Sequence, residues 1–445
     1  MALSGSRTFV GFGFGPIQAG LFLYEAYRAQ TFGRLVVAEI MPELIAAVRG
    51  HGGYFHLNIA HTDGIETVVV GPITILNPAD PADRQTLIEA IAAADEIATA
   101  VPGVAAYTGP GPDSLHRLLA AGLQAKRVCN GPRAVIYTAE NHNHAAELLA
   151  AAVEGELDPA ARPHLRAQVC FVNTVIGKMS GVVIDPADIA AWGLAPITPT
   201  TDRAFLVEAF NRILISRVHF ADGGAFTRGL PIFVEKDDLL PFAEAKLYGH
   251  NATHALAAYL GALLGVRFLA ELAERPGAMA ILRRAFVDES GAALCRKYAG
   301  CDPLFTPAGY TAYAEDLLVR MTNPHLHDTV ARVGRDPRRK LGWDDRLIGT
   351  MRLAWSQGIV PRYYALGAAA ALAVLDPAAL QDAAVAVGHL RAIWQVQTLT
   401  PEHEAMLALV EQGRQTLLGW CRRGLNGVLL NPAEAFDDHP GRLQP

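Results

Sequence analysis

Two hydrophobic rhythms divide this chain. In the first half, short runs of β-branched and aromatic residues alternate with stretches whose apolar residues recur every three or four positions. A period of two marks strands and a period of 3.6 marks helices, so the alternation predicts strand–helix units. RTFVGFGFG reads as a strand, IQAGLFLYEAYRAQ as a helix, RLVVAEI as a strand and PELIAAVRG as a helix closed by its glycine. ETVVVGPITILNP is further strand material. QTLIEAIAAA, SLHRLLAAGLQAK and HAAELLAAAVEGEL are helices, interleaved with strands at EIATAVP, RAVIYTAEN and AQVCFVNTVIG. Strands separated by helices in this way predict a mainly parallel, doubly wound sheet.

After about Ile215 the pattern changes. HFADGGAFTRGLPIF is punctuated by glycine and proline and carries the chain between domains. From DDLLPFAEAKLYG onward, long Ala/Leu-rich segments keep the helical period, with turn signals at RPG, GCDP, TNP and LDP. The expected organisation is α/β: a doubly wound domain over residues 1–225 and a mostly α-helical domain over residues 226–445.

Composition enters mainly by exclusion. The chain has 445 residues, enough for two domains; it is 51% hydrophobic and 18% charged, with a net charge of −6. That balance gives no reason to expect nucleic acid or an anionic membrane as a partner. Five cysteines show no paired spacing, which predicts reduced thiols in a cytoplasmic protein and neither a disulfide framework nor a metal site. The N-terminus turns glycine-rich too early for a signal peptide. The longest run free of acidic and basic side chains other than histidine, Leu247 to Val266, contains His250, Asn251 and His254, which a membrane span would not welcome.

Candidate chemistry begins at VGFGFGPIQAGLFLYEA, where Gly11, Gly13, Gly15 and Gly20 stand between the first strand and the first helix. Glycines let a backbone turn tightly and approach a pyrophosphate at a helix N-terminus. The register Gly13, Gly15, Gly20 suits the helix start best, although a merely tight turn would look the same. Glu39 ends the second strand 24 positions after Gly15, near the spacing at which an acid accepts the hydroxyls of an adenosine ribose. A carboxylate there repels a 2′-phosphate, so NAD is favoured over NADP.

A second candidate is the helix EAKLYGHNATHALAAYLGALLG. Asn251 and His254 are three apart and share a face, while Lys246 lies eight residues before His254, about 80° around an ideal helix. Gly249 is a place where the segment could bend. A desolvated lysine has its pKa pushed down and exchanges protons with an alcohol near neutral pH. An asparagine amide donates to the oxygen that becomes a carbonyl, and a histidine orients the substrate. A surface lysine beside a hydrogen-bonded Asn and His is the alternative.

The spacing of Lys246, Asn251 and His254, followed by ALAAYLG, resembles the polyol-specific long-chain dehydrogenases, the mannitol dehydrogenase family. TAENHNH, FVDESGAAL and NPHLHDTVARVGRDPRRKLGWDDRLIG resemble further blocks of that family in the same order, the last being closest to its mannitol-1-phosphate 5-dehydrogenase branch. The resemblance implies an N-terminal Rossmann domain, a helical C-terminal domain, a site between them and zinc-independent hydride transfer with NAD. It also implies Lys246 as general acid/base, Asn141 and Asn251 as oxyanion partners, His254 as the orienting residue, and Arg332 and Lys340 in contact with substrate hydroxyls. In GRDPRRK, Arg335, Arg338 and Arg339 could grip a phosphate bidentately. Glu244 could relay protons to the lysine.

Three features depart from the family pattern. Gly177 and Lys178 replace an Asp and an Arg that follow CFV, and the Asp would contact the polyol. The phosphate turn has Pro16 and Gln18 where a further glycine is usual, and a helical extension follows through LTPEHEAMLALVEQGRQTLLGWCRR. The expected function is interconversion of a polyol, preferably mannitol 1-phosphate, with its ketose. A dehydrogenase of free polyols or hexuronates, and a non-catalytic NAD-binding protein, are the competing readings. Whether the chain is a monomer or a dimer stays open.

Overall fold

Alternation along the first strand decides the layers. In β1 (Arg7–Phe12), Phe9 joins one core while Val10 and Phe12 join the other. The computed structural model describes residues 5–430. The remaining strands are β2 (Phe32–Ala38), β3 (Phe55–Ala60), β4 (Ile65–Val70), β5 (Thr74–Leu76), β6 (Glu96–Thr99), β7 (Ala134–Thr138), β8 (Val169–Val175), β9 (Ser180–Val183), β10 (Ala204–Glu208), β11 (Ile213–Ser216) and β12 (Phe233–Lys236).

An eight-stranded sheet runs β12-β11-β8-β7-β6-β1-β2-β5. From β5 to β8 the pairs are parallel, and the order is that of a doubly wound dinucleotide fold whose switch point lies between β1 and β6. β11 joins β8 antiparallel and carries β12 beside it. Leu87, Leu118 and Leu149 cover one face; Leu21 and Phe22 cover the other with Phe205 and Val207. A separate four-stranded sheet, β4-β3-β10-β9, supplies those last two residues. The sequence pattern foresees only its ETVVV strand.

The chain divides into two compact units, Met1–Leu240 and Pro241–Pro445. The division follows β12, whereas the expected boundary at 225/226 precedes it, because β12 is hydrogen-bonded into the first unit's sheet. The second unit is helical. Helices Ala252–Leu264 and Arg362–Leu375 are buried almost all round, as their Ala/Leu composition requires. Helix Pro401–Arg423 starts at a Thr400 cap and packs backbone to backbone on Arg362–Leu375, where a Cβ at Gly413 would lie 2.5 Å from the Ala365 carbonyl oxygen. Among the described residues three π-helical turns interrupt the α pattern: Gln18–Leu23, Ala245–Asn251 and Ala285–Gly291. Among the described residues no helix is long and apolar enough to cross a membrane.

Candidate functional site

β1 ends beneath the glycine turn. Gly13 has φ +83°, and a Cβ on it would lie 2.7 Å from the Ala100 carbonyl oxygen, so the crossing between β1 and β6 excludes a side chain. Gly15 differs, because a Cβ there would meet no protein atom within 4 Å. Nothing in the fold demands glycine at that position, whereas a ligand lying against the backbone would. Gly20 serves packing, its absent Cβ facing Val207 at 2.7 Å.

Gln18 takes the third place of a Gly-x-Gly-x-x-Gly register begun at Gly13. Its side chain is buried over Gly11, where any Cβ would overlap the Gln18 amide. The space usually left by glycine on the helix is therefore left by glycine on the strand.

At the end of β2 the buried Glu39 carboxylate accepts from Phe14 N at 2.8 Å through Oε2, and from Ile40 N and Met41 N at 2.8 and 3.0 Å through Oε1. Phe14 lies inside the glycine turn, so acid and turn are held as one piece. Two carboxylate oxygens offer about four acceptor directions, which leaves capacity for a ribose hydroxyl. The open backbone at Gly15 and this anchored acid fit a dinucleotide. After β7, buried Glu140 accepts from Thr99 Oγ1 at 2.8 Å, Val101 N at 2.9 Å and the Tyr107 hydroxyl, fixing the turn on which Asn141 stands exposed.

In the second unit, Lys246 and Asn251 belong to the π-helical turn Ala245–Asn251, which continues as the helix Ala252–Leu264. In α geometry, residues five apart point about 140° away from each other. A π turn closes its hydrogen bond at i+5 and brings them to one side, and His254 follows Asn251 on the same face. Gly249 is not a bend: it admits a ring, since a Cβ there would overlap the Tyr310 hydroxyl and lie 2.8 Å from Phe286.

Electrostatics sharpen this side. Lys246 keeps some surface, but its amine is packed deeply; burial, reinforced by the charge of Arg346, lowers its pKa to about 8. Burial, then the charges of His254, Arg320, Lys246 and Arg346, pushes His250 well below its ordinary value, so it is neutral at neutral pH. His254 Nε2 stands 3.1 Å from Asp328 Oδ2, and Arg332 Nε donates to Asp328 Oδ1 at 2.8 Å. Burial alone would raise the Asp328 carboxyl, yet His254 and Arg332 together hold it below its usual range.

The basic residues grouped by the sequence separate into distinct environments. Lys340 is buried, donates to the Arg335 carbonyl, and has its pKa lowered to about 8 by burial, then by Arg346 and Arg339. Arg339 is paired with Asp336 at 3.1 Å and Asp345 at 3.3 Å. Arg335 and Arg338 are exposed and have no carboxylate partner among the described residues. Glu244 is held by Lys297 at 2.7 Å. Beside Gly177, Lys178 is buried and donates to Phe210 O and Asn211 Oδ1, both at 2.9 Å, and to Glu208 O. It ties the connection between β8 and β9 to the end of β10 and the loop that follows it.

Sequence reasoning missed Asp328, His250 and Arg346. Asp328 had one signal, its place four residues before Arg332; Arg346 had none, because only folding brings its charge to bear on Lys246, His250 and Lys340.

Residues 238–409 match the family model described as the mannitol dehydrogenase C-terminal domain. The mannitol-1-phosphate 5-dehydrogenase of Arthrobacter sp. (strain FB24) is 33% identical over 416 residues, 91% of this chain and 97% of that protein. The mannitol-1-phosphate 5-dehydrogenase of Paenarthrobacter aurescens (strain TC1) is 30% identical over 411 residues, 90% of this chain and 96% of that one. Among solved structures, Pseudomonas fluorescens mannitol 2-dehydrogenase in ternary complex with NAD and D-mannitol shares the fold at TM-score 0.63 and 20% identity, covering 96% of this chain and 94% of that one. Substrate-free D-sorbitol dehydrogenase shares it at TM-score 0.70 and 14% identity, covering 96% and 95%.

Proposed function

This chain belongs to the mannitol dehydrogenase family, and from that premise we propose that it is an NAD-dependent dehydrogenase interconverting mannitol 1-phosphate and fructose 6-phosphate. It would do so in the cytoplasm, on a small-molecule substrate, without a nucleic-acid or membrane partner. The observation that carries the reading is Lys246, an amine of pKa about 8 on a π turn shared with Asn251.

Bound NAD supplies the hydride acceptor. The glycine turn at Gly13 and Gly15 would hold its pyrophosphate, Glu39 its adenosine ribose, and Gly20 the packing behind them. Neutral Lys246 takes the proton of the carbinol hydroxyl, and Asn251 and Asn141 donate amide hydrogens to the oxygen as charge develops on it. His254, fixed by Asp328, orients the substrate. In the reverse direction the ammonium returns the proton. At about pH 7.5 roughly a quarter of such lysines are neutral, against about one in a thousand at the ordinary value of 10.5. Arg332 meets substrate hydroxyls, and Lys340, buried against the Arg335 carbonyl, fixes the turn that carries Arg335. Arg335 and Arg338, unengaged by carboxylates, meet the phosphate, while Arg339 holds the turn between its two acids.

A panel of fructose 6-phosphate, fructose and tagaturonate, with NADH consumption followed by absorbance, tests the reading. Fructose 6-phosphate is expected to have the highest kcat/KM. Arg335→Ala and Arg338→Ala are each expected to lower that value about tenfold while leaving fructose unchanged. Preference for fructose or tagaturonate would refute the phosphate assignment; no turnover of any would refute the enzyme.

A further inference from the structure

The helix Pro401–Arg423 has no part in the chemistry above, yet its first turn reaches the connector between two of the charged residues. Lys340 and Arg346 are joined by Leu341–Gly342–Trp343–Asp344–Asp345, a segment with no regular element of its own. Trp343 stands at its middle. The His403 ring, from the helix Pro401–Arg423, stacks on it with centroids 4.1 Å apart and planes at 22°. Trp394 meets the same indole edge-on at 4.9 Å, and the Arg352 guanidinium lies 4.2 Å from its centroid.

These contacts also fasten the main chain. Trp394 Nε1 donates to Leu341 O at 2.9 Å, and Arg352 donates to Trp343 O at 3.3 Å while pairing with Glu402 of the same helix as His403 at 2.9 Å. His403 is itself fixed, its Nδ1 2.6 Å from the Thr400 hydroxyl that caps the helix. A large aromatic side chain on a short irregular connector, gripped by three helices, restricts the connector far more than glycine-containing backbone would alone.

We propose that Trp343 is the positioning residue for Lys340 and Arg346, and that His403, in the first turn of the helix Pro401–Arg423, clamps it. Lys340 acts through the turn of Arg335 and Arg346 through the Lys246 amine, so their importance rests on the polyol reading above; the clamp itself does not. With the ring released, the connector opens and the Lys340 amine, now buried against the Arg335 carbonyl, becomes reachable from water.

The test uses the full-length protein and no substrate. Trinitrobenzenesulfonate modification at about pH 8, read lysine by lysine by peptide mass spectrometry, reports how often each amine is deprotonated and reachable. His403→Ala is expected to speed modification of Lys340 about fivefold or more, the scale of one lost stacking contact. His403→Phe, which keeps a ring over Trp343, is expected to stay at the wild-type rate. Lys126, buried in the first unit, serves as the reference. An unchanged Lys340 rate in His403→Ala overturns the proposal. An equal rise at Lys126 also overturns it, because general loosening would then be the cause. The substrate panel can fail without affecting this result, so the two readings fall separately.

Discussion

Lys246 sets stability against use. Its folded pKa, about 8, lies below the ordinary 10.5, so between those values the unfolded chain binds more protons than the folded one. Stability contributed by this group therefore rises with pH across that window and is least at neutral pH, where the buried amine is mostly charged. Lys246→Met keeps the volume and removes the charge. It is expected to raise the Tm by a few degrees at neutral pH while turnover falls by orders of magnitude, measured by thermal melts and steady-state assays. A lowered Tm would mean that the ammonium is stabilised in place. At this scale the sequence marked Lys246, Asn251 and His254 as a group, and the fold sets Lys246 and Asn251 in one π turn with His254 in the helix that follows. The sequence was silent where chemistry depends on a neighbour distant along the chain. Arg346 is such a case, a hundred positions after Lys246 and yet the charge that most lowers it after burial.

Among the elements, the π turns explain what an α-helical reading could not. Tyr310 sits where Gly249 of one turn and Gly291 of another both lack a side chain; a Cβ at Gly291 would lie 2.6 Å from its ring. The turn Ala285–Gly291 also carries Glu289, whose carboxylate accepts from Tyr363 N at 2.8 Å and Tyr364 N at 3.1 Å, capping the helix Arg362–Leu375. Burial raises the Glu289 pKa to about 8 despite those donors. The folded chain then holds this proton more tightly than the unfolded one, so the contribution to stability falls as pH rises from about 4.5 through 8. Glu289→Ala is expected to lose about 2 kcal/mol at low pH, where the neutral carboxyl still accepts from the helix and carries no penalty for a buried charge. Its melting temperature should also depend less on pH than the wild type's, which melts across this window would show directly. An unchanged Tm at the acid end would remove Glu289 as a cap. Helix existence was readable from apolar spacing, but the widening at Ala245–Asn251 was not, because propensity carries no signal for a turn fixed by tertiary packing.

For the molecule as a whole, the doubly wound sheet followed from strand–helix alternation, since each unit is local in sequence. The second sheet did not: its β10–β3 pairing joins Leu206 to Asn58, and no local pattern announces a partner that far away. The candidate residues are likewise divided, with the glycine turn and Glu39 in the first unit and Lys246, Asn251 and His254 in the second. The central claim is that a buried amine performs the proton transfer. Its most direct test is the pH dependence of kcat/KM for mannitol 1-phosphate oxidation in the wild type and in Lys246→Ala. The wild-type value is expected to rise tenfold per pH unit and level off with an inflection near the lysine's pKa of about 8, and that inflection should be absent from the residual activity of the variant. The same inflection persisting in Lys246→Ala would contradict the account.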